Sequence, residues 1–279
     1  MYQETLELLA NSAQSKSKLC SSRLGAYLIH SAMAGVYLGF GIVLVFSLST
    51  AFFKAQSPAV NLIMGATFGI TLSLVVIAGA ELFTGNTMIM LIGLLSGKTT
   101  LVDLLKVWSW SYFGNFLGAL LMAFLVSQAT IFPDPSWLLT VAEKKMNAPW
   151  SVLFFRGILC NWLVVLAIWC SYRVKTEAGK LIMIWWCILA FVGSGYEHSI
   201  ANMGLLTLAN FLPNEGYAIS WSGLIHNLIP VTLGNIVSGV LFMGFSYYSI
   251  SPYKSASKNA INSSELFKSE VRPKITEIL

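Results

Sequence analysis

Charge is scarce in this sequence: of 279 residues only 10% are Asp, Glu, Lys or Arg, against 56% that are hydrophobic, and mean hydropathy is +0.71. A soluble domain carries about 25% charged residues, so a water-soluble protein with a large apolar core is a poor description of this chain. Four cysteines, Cys20, Cys160, Cys170 and Cys187, show no metal-type spacing, and three of them stand in apolar stretches. They read as packing residues, neither a disulfide framework nor a metal site. No HExxH is present, and no nucleophile, base and orienting residue stand at usable spacing, which counts against an integral-membrane enzyme. His30 and His226 fall near the expected inner and outer membrane boundaries of their apolar runs, at opposite faces, and cannot bracket a haem or a metal together. No cofactor is implied. A nucleic-acid footprint is also missing, because the excess of positive charge (+5) is not gathered on a soluble element. The first 22 residues lack the short cleavable apolar core of a signal peptide.

What the sequence does have is long apolar runs. Six spans are expected, roughly at 27–53, 60–97, 105–131, 150–172, 180–211 and 226–250. The second and fifth are too long for one crossing at about 1.5 Å per residue, and each has a polar, glycine-containing interruption near its middle. Each therefore reads as two half-helices joined by a loop.

The interruption of the fifth span, Gly193-Ser194-Gly195-Tyr196-Glu197-His198-Ser199-Ile200-Ala201-Asn202-Met203, sets a carboxylate and an imidazole inside a hydrophobic run. Ionisable groups at that depth are costly unless they face a bundle interior or a watery path, so they mark a functional site. Unwound backbone is tolerated in lipid only where it lines an enclosed cavity. His198 is thus the candidate titratable element of a substrate path. Glu197 reads chiefly as a support, accepting hydrogen bonds from the half-helix that begins near Ser199 or from the opposing loop, and Glu81 holds the matching place in the second span.

The two halves of the chain resemble each other. Gly79-Ala80-Glu81-Leu82-Phe83-Thr84-Gly85-Asn86 answers Gly195-Tyr196-Glu197-His198-Ser199-Ile200-Ala201-Asn202, and the Gly114-Asn115 of the third span answers the Gly234-Asn235 of the sixth. A duplicated unit of three spans, an odd number, must enter the membrane upside down the second time. The expected fold is therefore an all-α integral membrane protein, an inverted repeat of three plus three spans with spans 2 and 5 broken.

Basic residues set its orientation. With both termini inside, Lys16, Lys18, Arg23, Lys98, Lys106, Arg173, Lys175, Lys180 and five basic residues of the C-terminal tail share the inner face, leaving Lys54, Lys144 and Lys145 outside. Three regions follow: an N-terminal segment at 1–22, a six-span domain at 23–250, and a polar, basic cytosolic tail at 251–279. Leu6, Leu9 and Ala13 fall at helical spacing, so the first segment reads as a helix lying on the membrane surface or as a soluble one. Gly35, Gly39, Gly65, Gly69, Gly114 and Gly118 stand at GxxxG spacing, which permits close helix contact. Trp108, Trp110, Trp137, Trp150 and Trp221 read as interfacial anchors.

Together the two interruption motifs and Asn227-Leu228-Ile229-Pro230-Val231-Thr232-Leu233-Gly234-Asn235 closely resemble the signature segments of the formate/nitrite transporter family, over residues 20 to 250. Cys160-Asn161-Trp162-Leu163-Val164 and the Tyr before Glu197 are most similar to its nitrite-channel branch. The resemblance implies an aquaporin-like protomer with its own pore, a homopentamer in the bacterial inner membrane, and small monovalent anions as substrate: nitrite, with formate or hydrosulfide as alternatives. It implies that Leu82 and Phe83 help form an inner constriction and that Thr84 can hydrogen-bond the central histidine. Leu72 and Phe68 match constriction positions and Phe191 the outer-slit aromatic. His198 matches the central histidine, Glu197 its neighbour, Asn161 and Asn235 the polar residues near it, and Lys145 the basic residue of the outer vestibule. Arg156 has no role that carries over.

A bare anion crossing two apolar constrictions faces a desolvation cost that no carbonyl ring or charged ring in this sequence offsets. Lys145 would gather the anion by its positive field, and His198 would share a proton with it while Thr84 and Asn161 orient the site. In the alternative, His198 only donates a hydrogen bond and the anion passes charged.

Overall fold

In the computed structural model, residues 2–251 are described, and among them every regular element is a helix. The polar tail beyond 251, including Asn262-Ser263-Ser264, lies outside the described residues. The helices are α1 (Gln3–Ser22), α2 (Leu24–Lys54), α3 (Val60–Leu74), α4 (Phe83–Leu95), α5 (Leu101–Gln128), α6 (Ser136–Met146), α7 (Trp150–Arg173), α8 (Glu177–Gly193), α9 (Ser199–Phe211), α10 (Trp221–Val237) and α11 (Ser246–Ile250). Wider π-helical turns extend α3 through Val75–Gly79 and join α10 to α11 through Ser238–Phe245. Among the described residues, five helical stretches are long and apolar enough to cross a membrane: α2, α3 with its π turn, α5, α7, and α10 through α11.

Helix starts follow the local sequence. Thr100 accepts from the Asp103 N–H while Asp103 accepts from the Thr100 N–H, a reciprocal cap on α5. Thr176 caps α8 through the Gly179 N–H, and Ser220 caps α10 through the Gly223 N–H. The connection between α5 and α7 contains the short helix α6.

Both interruptions expected from the motifs are present, and they are built alike. Gly79 (φ +82°) ends the first half-helix of one and Gly195 (φ +70°) that of the other, in the left-handed region where a Cβ is disfavoured. A short extended stretch follows, with Leu82 and His198 as the N-caps of α4 and α9. One neighbouring backbone ties each loop down: the Glu81 N–H donates to the His30 carbonyl (3.1 Å) and the Glu197 N–H to the Arg156 carbonyl (3.3 Å). Paired asparagines complete the loops. Asn115 Oδ1 accepts from the Phe83 N–H (3.0 Å) while its Nδ2 donates to the carbonyls of Ser31 (2.7 Å) and Glu81 (2.8 Å). Asn235 repeats this, accepting from the Ser199 N–H (3.0 Å) and donating to the carbonyls of Gly157 (2.8 Å) and Glu197 (3.1 Å). Backbone groups freed by breaking a helix in apolar surroundings are thereby satisfied.

Small residues let the helices that carry these asparagines approach their partners. A Cβ at Gly118 of α5 would overlap the Ala32 carbonyl of α2, and one at Gly234 of α10 would overlap the Phe154 carbonyl of α7. Gly35 and Gly114 complete the α2/α5 crossing. Helix α1 packs one face on the bundle: Leu6, Leu9, Ala10 and Ala13 are fully buried, largely against α4, and Ser17 donates to Asp103 at 2.8 Å.

Candidate functional site

Two cavities open from opposite ends of the bundle towards the two broken helices. One, of about 230 Å³, is lined by residues that include Trp137, Lys144, Lys145, Arg156, Tyr196 and Glu197, and it reaches Phe68, Phe191 and His198. The other, of about 660 Å³, is lined by Lys16, His30, Glu81, Leu82, Tyr172 and Lys180, among others. Between them lies a void of only about 10 Å³, walled by apolar side chains, Thr71 and the His198 ring.

Of the five residues expected to constrict a path, Phe68, Leu72, Leu82 and Phe191 line the small void. Phe68 and Phe191 line both the 230 Å³ cavity and the small void, their rings edge to face with centroids 6.2 Å apart. Leu72 lines the void, and Leu82 lines both the void and the 660 Å³ cavity. Phe83 is the correction. Leu82 has extended backbone, so the residue after it turns the other way, and the Phe83 ring packs edge-on against Tyr112 (4.9 Å) and Trp108 (6.3 Å) of α5, away from the path.

His198 is buried, with Phe191 stacked on its ring at 5.9 Å between centroids. Its Nδ1 accepts from the Ala201 N–H (3.1 Å), capping α9. An imidazole nitrogen that accepts carries no proton, so the hydrogen of the neutral ring is on Nε2, 3.0 Å from Thr84 Oγ1. The threonine hydroxyl of one broken helix thus faces the histidine of the other. Asn161 stands one step back: its Nδ2 donates to the Asn235 carbonyl (2.7 Å), to Thr87 Oγ1 (3.2 Å) and to the Thr84 carbonyl (3.4 Å), and it makes no hydrogen bond to the imidazole. Asn235, likewise expected near the histidine, holds the loop that carries it.

Glu197 departs from the expected arrangement. Its carboxylate takes no hydrogen bond from the backbone of α9. It accepts from Lys145 Nζ (2.8 Å) and Asn202 Nδ2 (2.6 Å), and the backbone groups assigned to it are served by Asn235 and by His198 itself. Glu81 has the corresponding partners, Lys16 (2.6 Å) and Asn86 (3.1 Å), with Tyr27 OH at 3.5 Å. Each cavity therefore presents a lysine, glutamate and asparagine in series. Lys16, Asn86 and Asn202 went unassigned in the sequence, although each asparagine stands five residues after its glutamate in both copies of the motif. Asn202 is held in turn by Asn227, whose Nδ2 donates to the Lys145 carbonyl.

Of the other residues, His30 lines the 660 Å³ cavity, and His226 is fixed by the Trp150 indole N–H (2.8 Å) and the Ala148 carbonyl (3.0 Å). Trp108 and Trp137 turn inward from the expected anchor role. Trp108 donates to the Asn86 carbonyl, and Trp137 donates to Ser49 while lining the 230 Å³ cavity.

Residues 3–249 match the family model described as formate/nitrite transporter. The chain is 44% identical over 255 residues to the nitrite transporter NirC of Escherichia coli (strain K12), covering 90% of this chain and 93% of that protein. It is 34% identical to the formate channel BtFdhC of Bacillus thuringiensis, over 82% of this chain and 88% of the relative. Among solved structures, an FNT family ion channel superposes with a TM-score of 0.84 at 43% identity, covering 89% of this chain and 99% of that one. A pentameric formate channel with formate bound gives a TM-score of 0.72 at 29% identity, covering 82% and 98%. These relatives are named as transporters and channels, not as enzymes. With its two broken helices meeting between two cavities, this chain belongs to the formate/nitrite transporter family of membrane anion channels.

Proposed function

We propose that this protein is a nitrite channel of a bacterial inner membrane, in which His198 shares a proton with the anion between two apolar constrictions. The His198 ring on the wall of the void between Phe68/Phe191 and Leu72/Leu82, with its Nε2 in hydrogen-bond reach of Thr84 Oγ1 (3.0 Å), carries this reading. Six crossings in an inverted three-plus-three arrangement, with both termini inside, are supported by the matched loops at Glu81 and Glu197 and by the distribution of basic residues. Assembly as a homopentamer is supported by the apolar outer faces of α5 and α7, where Phe113, Leu117, Phe155 and Leu159 are exposed, and by the pentameric state of the formate-bound relative. Formate and hydrosulfide are the alternative small monovalent anions.

Lys144, Lys145 and Arg156 face one carboxylate, Glu197, in the outer vestibule, so the field there draws anions in. Lys145 contributes to that field while joined to Glu197, and it also fixes the loop. Within the void, no charged side chain offsets the desolvation of an anion, which favours passage with a shared proton. Full transfer from Nε2 leaves a neutral ring only if Nδ1 has gained a proton, and that nitrogen would then have to release the Ala201 N–H. Proton transfer is coupled in this way to loosening of the first turn of α9. The same cap supports the second reading, in which His198 stays neutral and only donates a hydrogen bond.

Nitrite flux into proteoliposomes, measured against pH for the wild type, His198→Asn and His198→Phe, separates the two. Altered pH dependence in both variants is expected for a shared proton. An unchanged dependence removes that role and leaves His198 as a hydrogen-bond donor.

A further inference from the structure

The outer vestibule holds a cation that the lysine, glutamate and asparagine series does not use. Lys145 is balanced by Glu197 at 2.8 Å. Arg156 lines the same cavity, its side chain is exposed, and among the described residues its guanidinium makes no ion pair or hydrogen bond. Its backbone, in contrast, is fixed. The Arg156 carbonyl accepts the Glu197 N–H, and the next carbonyl, of Gly157, accepts from Asn235. A free planar head is thus rooted beside the loop that carries His198.

A guanidinium presents parallel N–H donors that match two oxygens on one atom, whereas an ammonium is a point charge with no such preference. Nitrite and formate each carry two equivalent oxygens on one central atom; hydrosulfide has a single anionic atom. We propose that Arg156 recognises two-oxygen anions in the outer vestibule, gripping nitrite or formate bidentately before they reach the Phe68/Phe191 narrows. The selectivity of this chain for such anions over single-atom anions of equal charge is then set partly outside the constrictions. Lys144, also on the cavity wall, adds field without shape.

This inference rests on the anion-channel reading and deepens it. The test is the concentration dependence of nitrite, formate and hydrosulfide entry into proteoliposomes holding the full chain, as wild type, Arg156→Lys or Lys144→Gln. Arg156→Lys keeps the charge and removes the fork. It should raise the half-saturating concentration for nitrite and for formate about three- to tenfold, with the maximal rate unchanged and hydrosulfide entry unaffected. Lys144→Gln should weaken all three anions alike, by about twofold. A nitrite curve for Arg156→Lys that superimposes on the wild type overturns the inference, as does an equal shift for hydrosulfide. A wild type that moves no nitrite defeats the channel reading instead. Unchanged elution of detergent-solubilised Arg156→Lys shows that the variant folds.

Discussion

At the scale of single residues, the chemistry is set by which groups are left without water. The Glu197 side chain is 3% exposed and its lysine partner 20% exposed, so this pair sits in a poorly solvated wall. Removing one member of such a pair strands the other. Lys145→Met should lower stability by about 3 kcal/mol, seen as a fall in the thermal midpoint of the detergent-solubilised protein. Combining it with Glu197→Gln should recover most of that loss, since the remaining amide needs no counter-charge. A double variant no better than Lys145→Met alone would mean that the lysine acts through packing. Thr84 tests the histidine from its other side. Thr84→Val removes the acceptor for Nε2–H and should cut nitrite flux about tenfold or more, while Thr84→Ser should stay near the wild type. These roles were unevenly legible in the sequence. His198 stands out because an ionisable residue inside an apolar run is rare, whereas Thr84 is picked out only by the resemblance of its motif to the family's. Lys16 does not stand out, because its partner Glu81 is 65 positions away and only the docking of α1 brings the two together.

At the scale of helices, the organising device is a broken helix whose loose ends are caught by one asparagine from a neighbour. Asn115 serves three backbone groups in the first half, and Asn235 serves three in the second. A leucine of similar size at position 115 leaves the Phe83 N–H and two carbonyls without partners in apolar surroundings. Each such loss costs about 1–3 kcal/mol, so Asn115→Leu should abolish a monodisperse peak in size-exclusion chromatography. The Gly-Asn pairs and both breaks were readable because they recur with the same neighbours. The direction of Phe83 was not. The resemblance implies a constriction role shared with Leu82, but the change from extended backbone to helix at that step sends the two side chains to different neighbours.

At the scale of the whole molecule, an exposed tie joins the end of α2 to the connection before α6. Lys54 Nζ lies 2.7 Å from Asp134, and the hydrogen bond from Lys54, with one from the Ser136 N–H, holds the Asp134 carboxyl down to about 2. A folded value below the unfolded one adds stability that is complete above the ordinary carboxylate range and is lost as pH falls through that folded value. The wild type and Asp134→Asn should therefore differ by a constant, small amount from about pH 5 to about pH 8, and should converge as the pH approaches about 2. Thermal unfolding of both proteins across that range is the check. A difference that grows above about pH 5 would point to another titrating group.

The sequence by itself determined that this chain is a membrane protein, that two of its apolar spans are broken, and that a histidine stands at one break. Apolar length, glycine placement and the rarity of charge are local properties, and the recurrence of a motif can be read along the chain. Tertiary structure alone decided which lysine meets which glutamate, which face of a half-helix looks into the path, and that Nδ1 of His198 caps α9 while Nε2 faces Thr84. Those outcomes depend on helices far apart in sequence approaching within hydrogen-bond distance. Only the packed bundle, held close by residues such as Gly118 and Gly234, brings them there.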